Sequence, residues 1–261
     1  MSNPVSASSY WIGYKTIVIK EVMRILRIWA QTLLPPAITM TLYFVIFGQL
    51  IGARIGEMGG MDYMQFIVPG LIMLSVITNS YGNITSSFFG AKFGRHVEEL
   101  LVSPLPPILI LAGYVTGAVF RALVVGVLVF IVAAFFSDFS IHSWPVTLSI
   151  VVLTAIVFAL AGFINATFAQ KFDDISIIPT FVLQPMTYLG GVFFSVDLLP
   201  GIWETIAMAN PILYMVNGFR YGMLGVSDVP VSAAFGIILV FVAVLGTVCV
   251  TLLKRGTGLR T

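Results

Sequence analysis

Four of the chain's 24 charged residues (13 basic, 11 acidic) lie in one short segment between two apolar runs, at residues 91–107. Arg95 precedes Glu98 and Glu99 by three and four residues, a spacing at which opposite charges pair on a helix. Prolines from Pro104 onward would end that helix. This pattern predicts a short amphipathic helix that could receive force from a docked protein, although an ordinary solvated loop could contain the same residues. Its candidate contact residues are Arg95, Glu98, Glu99, Leu100, Leu101, Ser103 and Pro104.

Uncharged polar side chains interrupt the second, fourth and fifth apolar runs. They could line a path for an amphiphilic substrate, or they could join neighbouring helices by hydrogen bonds. Thr180, Gln184 and Thr187 of the fifth run fall on one face at helical spacing. The candidate path residues are Thr78, Asn79, Asn83, Thr180, Gln184 and Thr187.

The apolar runs lack the residues that most membrane chemistry requires. They contain no Asp or Glu, whereas proton-coupled carriers need an intramembrane carboxylate. Both histidines lie outside the runs, and no phosphate-binding glycine loop is present. The single cysteine, Cys249, excludes an intramolecular disulfide and a cysteine metal cage. The sequence therefore predicts no catalytic residue, no metal site and no bound nucleotide, so that energy for uphill transport would come through a partner.

The composition of this chain indicates that most of it is surrounded by membrane lipid. Of its 261 residues, 59% are hydrophobic and only 9% are charged, against about 25% charged in soluble domains. These values exclude an ordinary soluble domain, a nucleic-acid binder and a disordered chain. Alternating ten-residue strands are absent, so we predict an all-α membrane protein with six transmembrane helices. The runs are Ala30–Gly52, Tyr63–Gly90, Ile108–Phe136, Trp144–Gln170, Ile175–Val196 and Val231–Leu253.

The basic residues are distributed unequally between the two sides of the predicted spans. Ten lie on one side and two, Arg54 and Arg220, on the other, while Arg121 lies within the third run. Because basic residues concentrate in the cytoplasm, both termini are expected there. The ten are Lys15, Lys20, Arg24, Arg27, Lys92, Arg95, Lys171, Lys254, Arg255 and Arg260.

Residues 9–29 have the pattern of a helix that lies in the cytoplasmic membrane interface. Val18, Val22, Ile25 and Trp29 recur at helical spacing, and basic residues recur on another face, which would point toward headgroups. A solvated juxtamembrane segment is the alternative. Two consecutive prolines, at 35 and 36, would then break or bend the first span.

Two features concern packing and the opposite side of the membrane. Gly113 and Gly117 form a small-xxx-small pair, which is typical of close helix contacts. Residues 197–230 are too apolar for a solvated loop but are interrupted by charges and prolines. We predict two short re-entrant helices there, with a simple amphipathic cover on the bundle as the alternative.

Two motifs resemble those of a known family. The segment Glu98-Glu-Leu-Leu-Val-Ser-Pro104 resembles the cytoplasmic signature of type-2 ABC exporter permeases, although His96 and Val97 depart from the common arrangement. The second motif resembles the family pattern that ends the fifth span and precedes the sixth. It consists of Gly190, Gly191, Phe193, Phe194, Pro200, Asn210, Pro211, Tyr214 and Arg220. The likeness covers essentially the whole chain, and is greatest to small bacterial inner-membrane or multidrug transport permeases.

The resemblance implies a single permease domain over residues 1–261, in the bacterial inner membrane. It implies a homodimer with two copies of a separate ATPase, which would bind ATP and hold residues 91–107 in a cleft. The outer re-entrant segment would cap the exit of the transport path. Membrane lipid is the expected surrounding, and no nucleic acid partner is expected. Two rivals remain at this point: an ion-coupled carrier or channel that acts alone, and a membrane-embedded enzyme or assembly scaffold.

Overall fold

The computed structural model describes residues 7–138 and 140–258. Apart from a four-residue hairpin, its regular structure is helical. A π-helical turn, Phe44–Ile51, joins α2 to α3, and another, Pro179–Leu183, joins α8 to α9. The elements are α1 Ala7–Arg27, α2 Trp29–Tyr43, α3 Gly52–Ile55, β1 Glu57–Met58, β2 Met61–Asp62, α4 Tyr63–Phe93, α5 His96–Val102, α6 Pro107–Ala134, α7 Trp144–Phe168, α8 Asp174–Ile178, α9 Gln184–Tyr188, the 3₁₀ turn Val196–Leu198, α10 Ile202–Met208, α11 Pro211–Leu224 and α12 Val231–Arg255.

Five helices are long and apolar enough to cross a membrane, with 25 to 31 residues each. About 20 residues suffice to cross the hydrocarbon core. The prediction of an all-α membrane protein is therefore confirmed. The five are Trp29–Ile55, Tyr63–Phe93, Pro107–Ala134, Trp144–Phe168 and Val231–Arg255.

The helix α4 is the centre of the bundle. It packs against α6, α7 and α11, and most of its side chains are buried. The outer helices α2 and α12 bury few residues, so each leaves a broad apolar face exposed. This arrangement is expected in lipid, where apolar surface carries no penalty and helices associate through packing and hydrogen bonds.

The fifth apolar run forms a shorter helix than predicted. It is helical over residues 174–188, whereas Ile175–Val196 was expected. The helix stops because Gly191 adopts a left-handed conformation (φ 70°), and the chain then turns across α4. A side chain at Gly70 of α4 would collide with the backbone of Val192, so this glycine permits the close crossing.

The N-terminal helices differ from expectation in two respects. The helix Trp29–Ile55 continues through both prolines, and the chain turns earlier, at Ile28. In α1, the basic residues do not share one outward face, because Arg24 turns into the bundle beside Glu21. Lys20 and Arg27 remain exposed. The buried face of α1 is Ile17, Glu21 and Ile25.

Candidate functional site

The short helix predicted within residues 91–107 is α5. Val97 is buried and anchors α5 in the bundle, while Glu98 and Glu99 are exposed and Val102 is 85% exposed. The predicted pairing of Arg95 with the two glutamates is wrong within the described part of the chain, where no such ion pair is present. The reason is geometric: Arg95 precedes the helix in a left-handed conformation (φ 61°).

The C-terminal end of α5 is fixed by contacts of Leu100 to Leu105. The Ser103 hydroxyl donates to the Leu100 carbonyl at 2.7 Å, and Leu100 and Leu101 pack against the cluster that contains Val97. Pro104 is exposed at the end of the helix. After it, Leu105 fits into the space left by Gly13 of α1.

Lys92 connects the end of α4, just before α5, to a second long helix, α7. The sequence placed Lys92 in the loop, but it lies in the last turn of α4 and is buried. Its ammonium donates to the carbonyls of Thr167 and Ala169, at 2.6 and 2.8 Å, where α7 ends. A cation at this position complements the partial negative charge of the helix terminus. The end of α4 that leads into α5 is therefore bonded to the end of α7.

An exposed aromatic surface lies beside α5. The rings of Phe93 and Phe172 are both more than half exposed and lie 5.0 Å apart. A pocket of about 540 Å³ adjoins them and is lined in part by Lys92, Arg95 and Phe168. Together with α5, these residues form a surface of mixed charge and apolar character that a protein partner could cover.

A groove of about 400 Å³ lies between α2, α4 and the helix at 174–188. Five of the six candidate path residues line it, namely Thr78, Asn79, Thr180, Gln184 and Thr187. The sixth, Asn83, does not line it: this residue is fully buried and its side-chain oxygen accepts a 2.7 Å hydrogen bond from Arg24.

Several polar groups of the groove are already hydrogen-bonded within their own helices. The Thr78 hydroxyl donates to the Leu74 carbonyl at 2.8 Å, and the Thr187 hydroxyl to the Gln184 carbonyl at 2.8 Å. The Gln184 amide donates to the Tyr188 hydroxyl at 3.2 Å. The lining of the groove is therefore mildly polar.

Aromatic rings cluster at Tyr43 and Tyr188, which also line the groove. Phe193 lies 5.9 Å from Tyr43, 4.7 Å from Phe47 and 6.2 Å from Tyr188, measured between ring centroids. The Tyr63 hydroxyl donates to the Phe193 carbonyl at 3.1 Å and holds this segment against α4. The aromatic cluster therefore adjoins the groove through Tyr43 and Tyr188.

The second motif is organised around Arg220, which is completely buried. Its guanidinium donates to the Gly191 carbonyl and to the Asn217 side chain, and lies 3.9 Å from the ring centroid of Phe66. The Asp228 carboxylate is 4.0 Å away. Arg220 therefore joins the end of the 174–188 helix, α11 and α4.

The remaining motif residues have structural positions around the same region. Asn210 caps α11 by accepting from the Ile212 amide, and its own amide donates to the Met186 carbonyl at 2.6 Å. Pro211 is the first residue of that helix, and the Tyr214 hydroxyl donates to the Met208 carbonyl at 2.9 Å. Three others lie nearby: Gly190 packs against α11, Phe194 packs against the main core and Pro200 precedes α10.

Sequence reasoning missed a buried carboxylate. Glu21 of α1 is completely buried, accepts from the Ser87 hydroxyl at 2.6 Å and pairs with Arg24 at 3.0 Å. A signal was present in the sequence, because Ile17 and Glu21 on α1 are four residues apart, as are Gly113 and Gly117 on α6. The two pairs could therefore face each other. A side chain at either glycine would collide with its counterpart on α1.

Comparisons with known proteins place the chain in a family. A family model described as "ABC-2 type transporter" matches residues 13–224. The chain is 58% identical over 251 residues to the inner membrane transport permease YadH of Escherichia coli (strain K12), covering 96% of this chain and 98% of that protein. It is also 27% identical over 215 residues to Nodulation protein J of Rhizobium leguminosarum bv. viciae, covering 82% and 83%. The chain therefore belongs to the ABC-2 type transporter family and is a bacterial inner-membrane transport permease.

Proposed function

We propose that this chain is the transmembrane subunit of an exporter that moves an amphiphilic substrate out of the cytoplasm or the inner leaflet. A separate ATPase subunit binds and hydrolyses ATP, and this chain performs no chemistry of its own. The observation that carries the proposal is α5, a short exposed helix with two carboxylates that directly follows α4, whose last turn is bonded to the end of α7 through Lys92.

The proposed topology has six spans. Five of the spans are the long helices. The remaining span is the helix at 174–188, which lies between α7 and α12 along the chain, and residues 189–195 complete its outer end. The helices α10 and α11 are re-entrant in the outer leaflet, and α1 lies in the inner interface. Both termini are cytoplasmic, as the ten basic residues on that side indicate. One of them, Arg260, lies outside the described residues.

We further propose a homodimer that binds two ATPase copies. The groove is open rather than enclosed, and exposed apolar side chains flank it on both sides, including Ile38 and Leu42 on α2 and Ile178 and Phe181 on the opposite helix. A second copy that faced these helices would close the groove into a path.

The proposed mechanism follows from the connections of α5. ATP-driven closure of the ATPase would displace α5, and α4 would carry the displacement to Thr78 and Asn79 in the groove. The aromatic cluster around Phe193 and the segment α10–α11 would cap the exit. Narrowing and widening at these positions would alternate access to the groove from the two sides of the membrane.

The alternative is an ion-coupled carrier or channel that acts without an ATPase. Such a carrier needs a carboxylate that takes up and releases the driving ion. Glu21 is the buried candidate, but its pairing with Arg24 and its hydrogen bond from Ser87 leave it poorly suited to exchange an ion. Transport by the purified chain in ion-loaded liposomes, with no ATPase present, would support this alternative.

The direct test is co-purification of the tagged chain with ABC ATPase subunits from the same genome. We expect one ATPase to follow the wild-type chain and to be lost from Glu98→Lys and Glu99→Lys, because both side chains are exposed on α5. Glu57→Lys, an equally exposed carboxylate in the hairpin, should retain it. The assignment is wrong if no ATPase follows the solubilised chain and Glu98→Lys leaves transport unaltered.

A further inference from the structure

A ladder of polar contacts joins α1, α4 and α6. On α4, Asn79, Asn83 and Ser87 are spaced four residues apart and therefore lie on one face. Arg121 of α6 donates to the Asn79 side chain at 3.3 Å, and Arg24 donates to that of Asn83 at 2.7 Å. The third rung is the bond from Ser87 to Glu21.

The ladder contains more positive than negative charge. Glu21 is its one carboxylate, and it is paired with Arg24. Over the residues that the structure describes, Arg121 has no carboxylate within 4.0 Å, and its guanidinium donates one hydrogen bond, from Nε to Asn79. A guanidinium without a counter-charge is costly in a membrane, which favours an anion at this position.

The position of the ladder matches the inner surface of the bilayer in the topology proposed above. Opposite its buried face, α1 has an exposed apolar stripe of Ile12, Ile19, Met23 and Leu26. A helix with one face on the bundle and one in acyl chains lies where headgroups begin. Glu21 contacts Gly117, and Arg121 lies one helical turn further along α6, so its guanidinium is just inside the membrane from this level.

We propose that Arg24 and Arg121 form a binding site for the anionic headgroup of an inner-leaflet amphiphile. A guanidinium presents a planar fork of donors that suits phosphate or carboxylate oxygens. Asn79 contacts Arg121 and also lines the groove, so a headgroup held here lies next to the proposed path. The amphiphile is either a resident lipid or the substrate itself, which share this chemistry.

The test uses the purified chain alone, in neutral detergent. Thermal unfolding is followed with added short-chain phosphatidylglycerol, phosphatidylcholine or inorganic phosphate. We expect phosphatidylglycerol to raise the Tm of the wild type and phosphatidylcholine to leave it unchanged. For Arg121→Gln, the half-saturating concentration of phosphatidylglycerol should rise roughly fivefold, the effect of one basic residue on anionic lipid binding.

Matched controls are Lys20→Gln and Arg27→Gln, which remove exposed charges from α1 and should keep the wild-type response. Arg121→Lys keeps the charge without the fork and should bind with intermediate affinity, and it serves if Arg121→Gln fails to fold. Equal responses to both lipids, stabilisation by inorganic phosphate without a lipid preference, or a normal response of Arg121→Gln would overturn the proposal. Because no ATPase is present, these outcomes are independent of ATP coupling. Lipid retained by the wild-type complex during ATP turnover would identify a resident lipid, and lipid released would identify a substrate.

Discussion

The side chains of Glu21 and Ser87 are joined by a 2.6 Å hydrogen bond, which connects the N-terminal helix to the centre of the bundle. The approach is possible because α6 presents Gly117 opposite Glu21: a Cβ there would lie 2.5 Å from the glutamate Cβ. A helix that composition alone assigns to the membrane surface is thus attached to two spans by a buried charge. Movements of α4 and α1 are therefore coupled.

Replacement of Glu21 tests this attachment. Glu21→Ala leaves the Arg24 guanidinium without its carboxylate. Removal of one partner from a fully buried ion pair costs about 3–5 kcal/mol, and the cost here should be lower because the Arg24 side chain is 28% exposed and can be partly solvated. We expect a correspondingly lower free energy of unfolding of the solubilised chain, measured by denaturant titration. Glu57→Ala, at an exposed carboxylate, should change it little; equal effects of the two substitutions would contradict the structural role.

Gly117→Ala tests the close approach of α1 and α6. The added methyl group would overlap Glu21 and force the helices apart, and overpacking of this kind costs about 1–3 kcal/mol. Gly236→Ala in α12 meets no atom within 4 Å and should be neutral or slightly stabilising, because alanine favours the helix. A Tm for Gly117→Ala at or above that of Gly236→Ala would refute the contact.

Lys92→Met tests the link between α4 and α7. The substitution keeps the length of the side chain but removes two hydrogen bonds to the end of α7, at a cost of about 1.5–3 kcal/mol for a charged donor. We expect a lower Tm and faster hydrogen exchange in residues 167–173. Lys171→Met, whose side chain is exposed, is the control, and unchanged exchange in Lys92→Met would show that the link is not structural.

Arg220→Lys tests the junction at the end of the 174–188 helix. Lysine keeps the charge but cannot bridge Gly191, Asn217 and the face of Phe66 with one planar group. We expect a loss of about 2–4 kcal/mol, most of it from a buried charge with unmet hydrogen bonds. The control is Arg54→Lys, which should be neutral because Arg54 is exposed. If Arg220→Lys unfolds at the wild-type Tm, Arg220 does not stabilise this junction.

Asp174 provides a pH-dependent test. Its carboxylate accepts from the backbone amides of Gln170 and Lys171 at 2.8 and 2.9 Å, which lowers its pKa below the ordinary value of 3.8. A depressed pKa means that the ionised form favours the folded loop, so this contribution is present above pH 3.8 and is lost as the pH falls through the lower folded value. Hydrogen exchange should show both amides protected at neutral pH and released in acid. Asp174→Asn should reduce their protection at neutral pH, while Asp173→Asn should not; identical protection in the two variants would exclude the contact.

Much of the architecture follows from local sequence. The long apolar runs specify membrane-spanning helices because helix length and hydropathy depend only on neighbouring residues, and the family motifs lie in short segments. The segment between Lys92 and Pro107 likewise contains its own start and stop signals, so the position of α5 could be predicted. Five of six polar residues assigned to one path do line one groove, since their spacing places them on common helix faces.

Only the tertiary structure decided which of several possible faces each helix buries. The sequence of α1 contains an apolar stripe, a basic face and a glutamate, any of which could face the bundle. Glu21 is buried there because Gly113 and Gly117, nearly a hundred residues away along the chain, leave space for α1 to approach. Beside this contact, Arg24 points into the bundle and donates to the Asn83 side chain, which does not line the groove. The end of the 174–188 helix is likewise set by Gly70 and Arg220, on other helices. Burial of a polar group depends on partners that are distant along the chain, and local patterns contain no information about them.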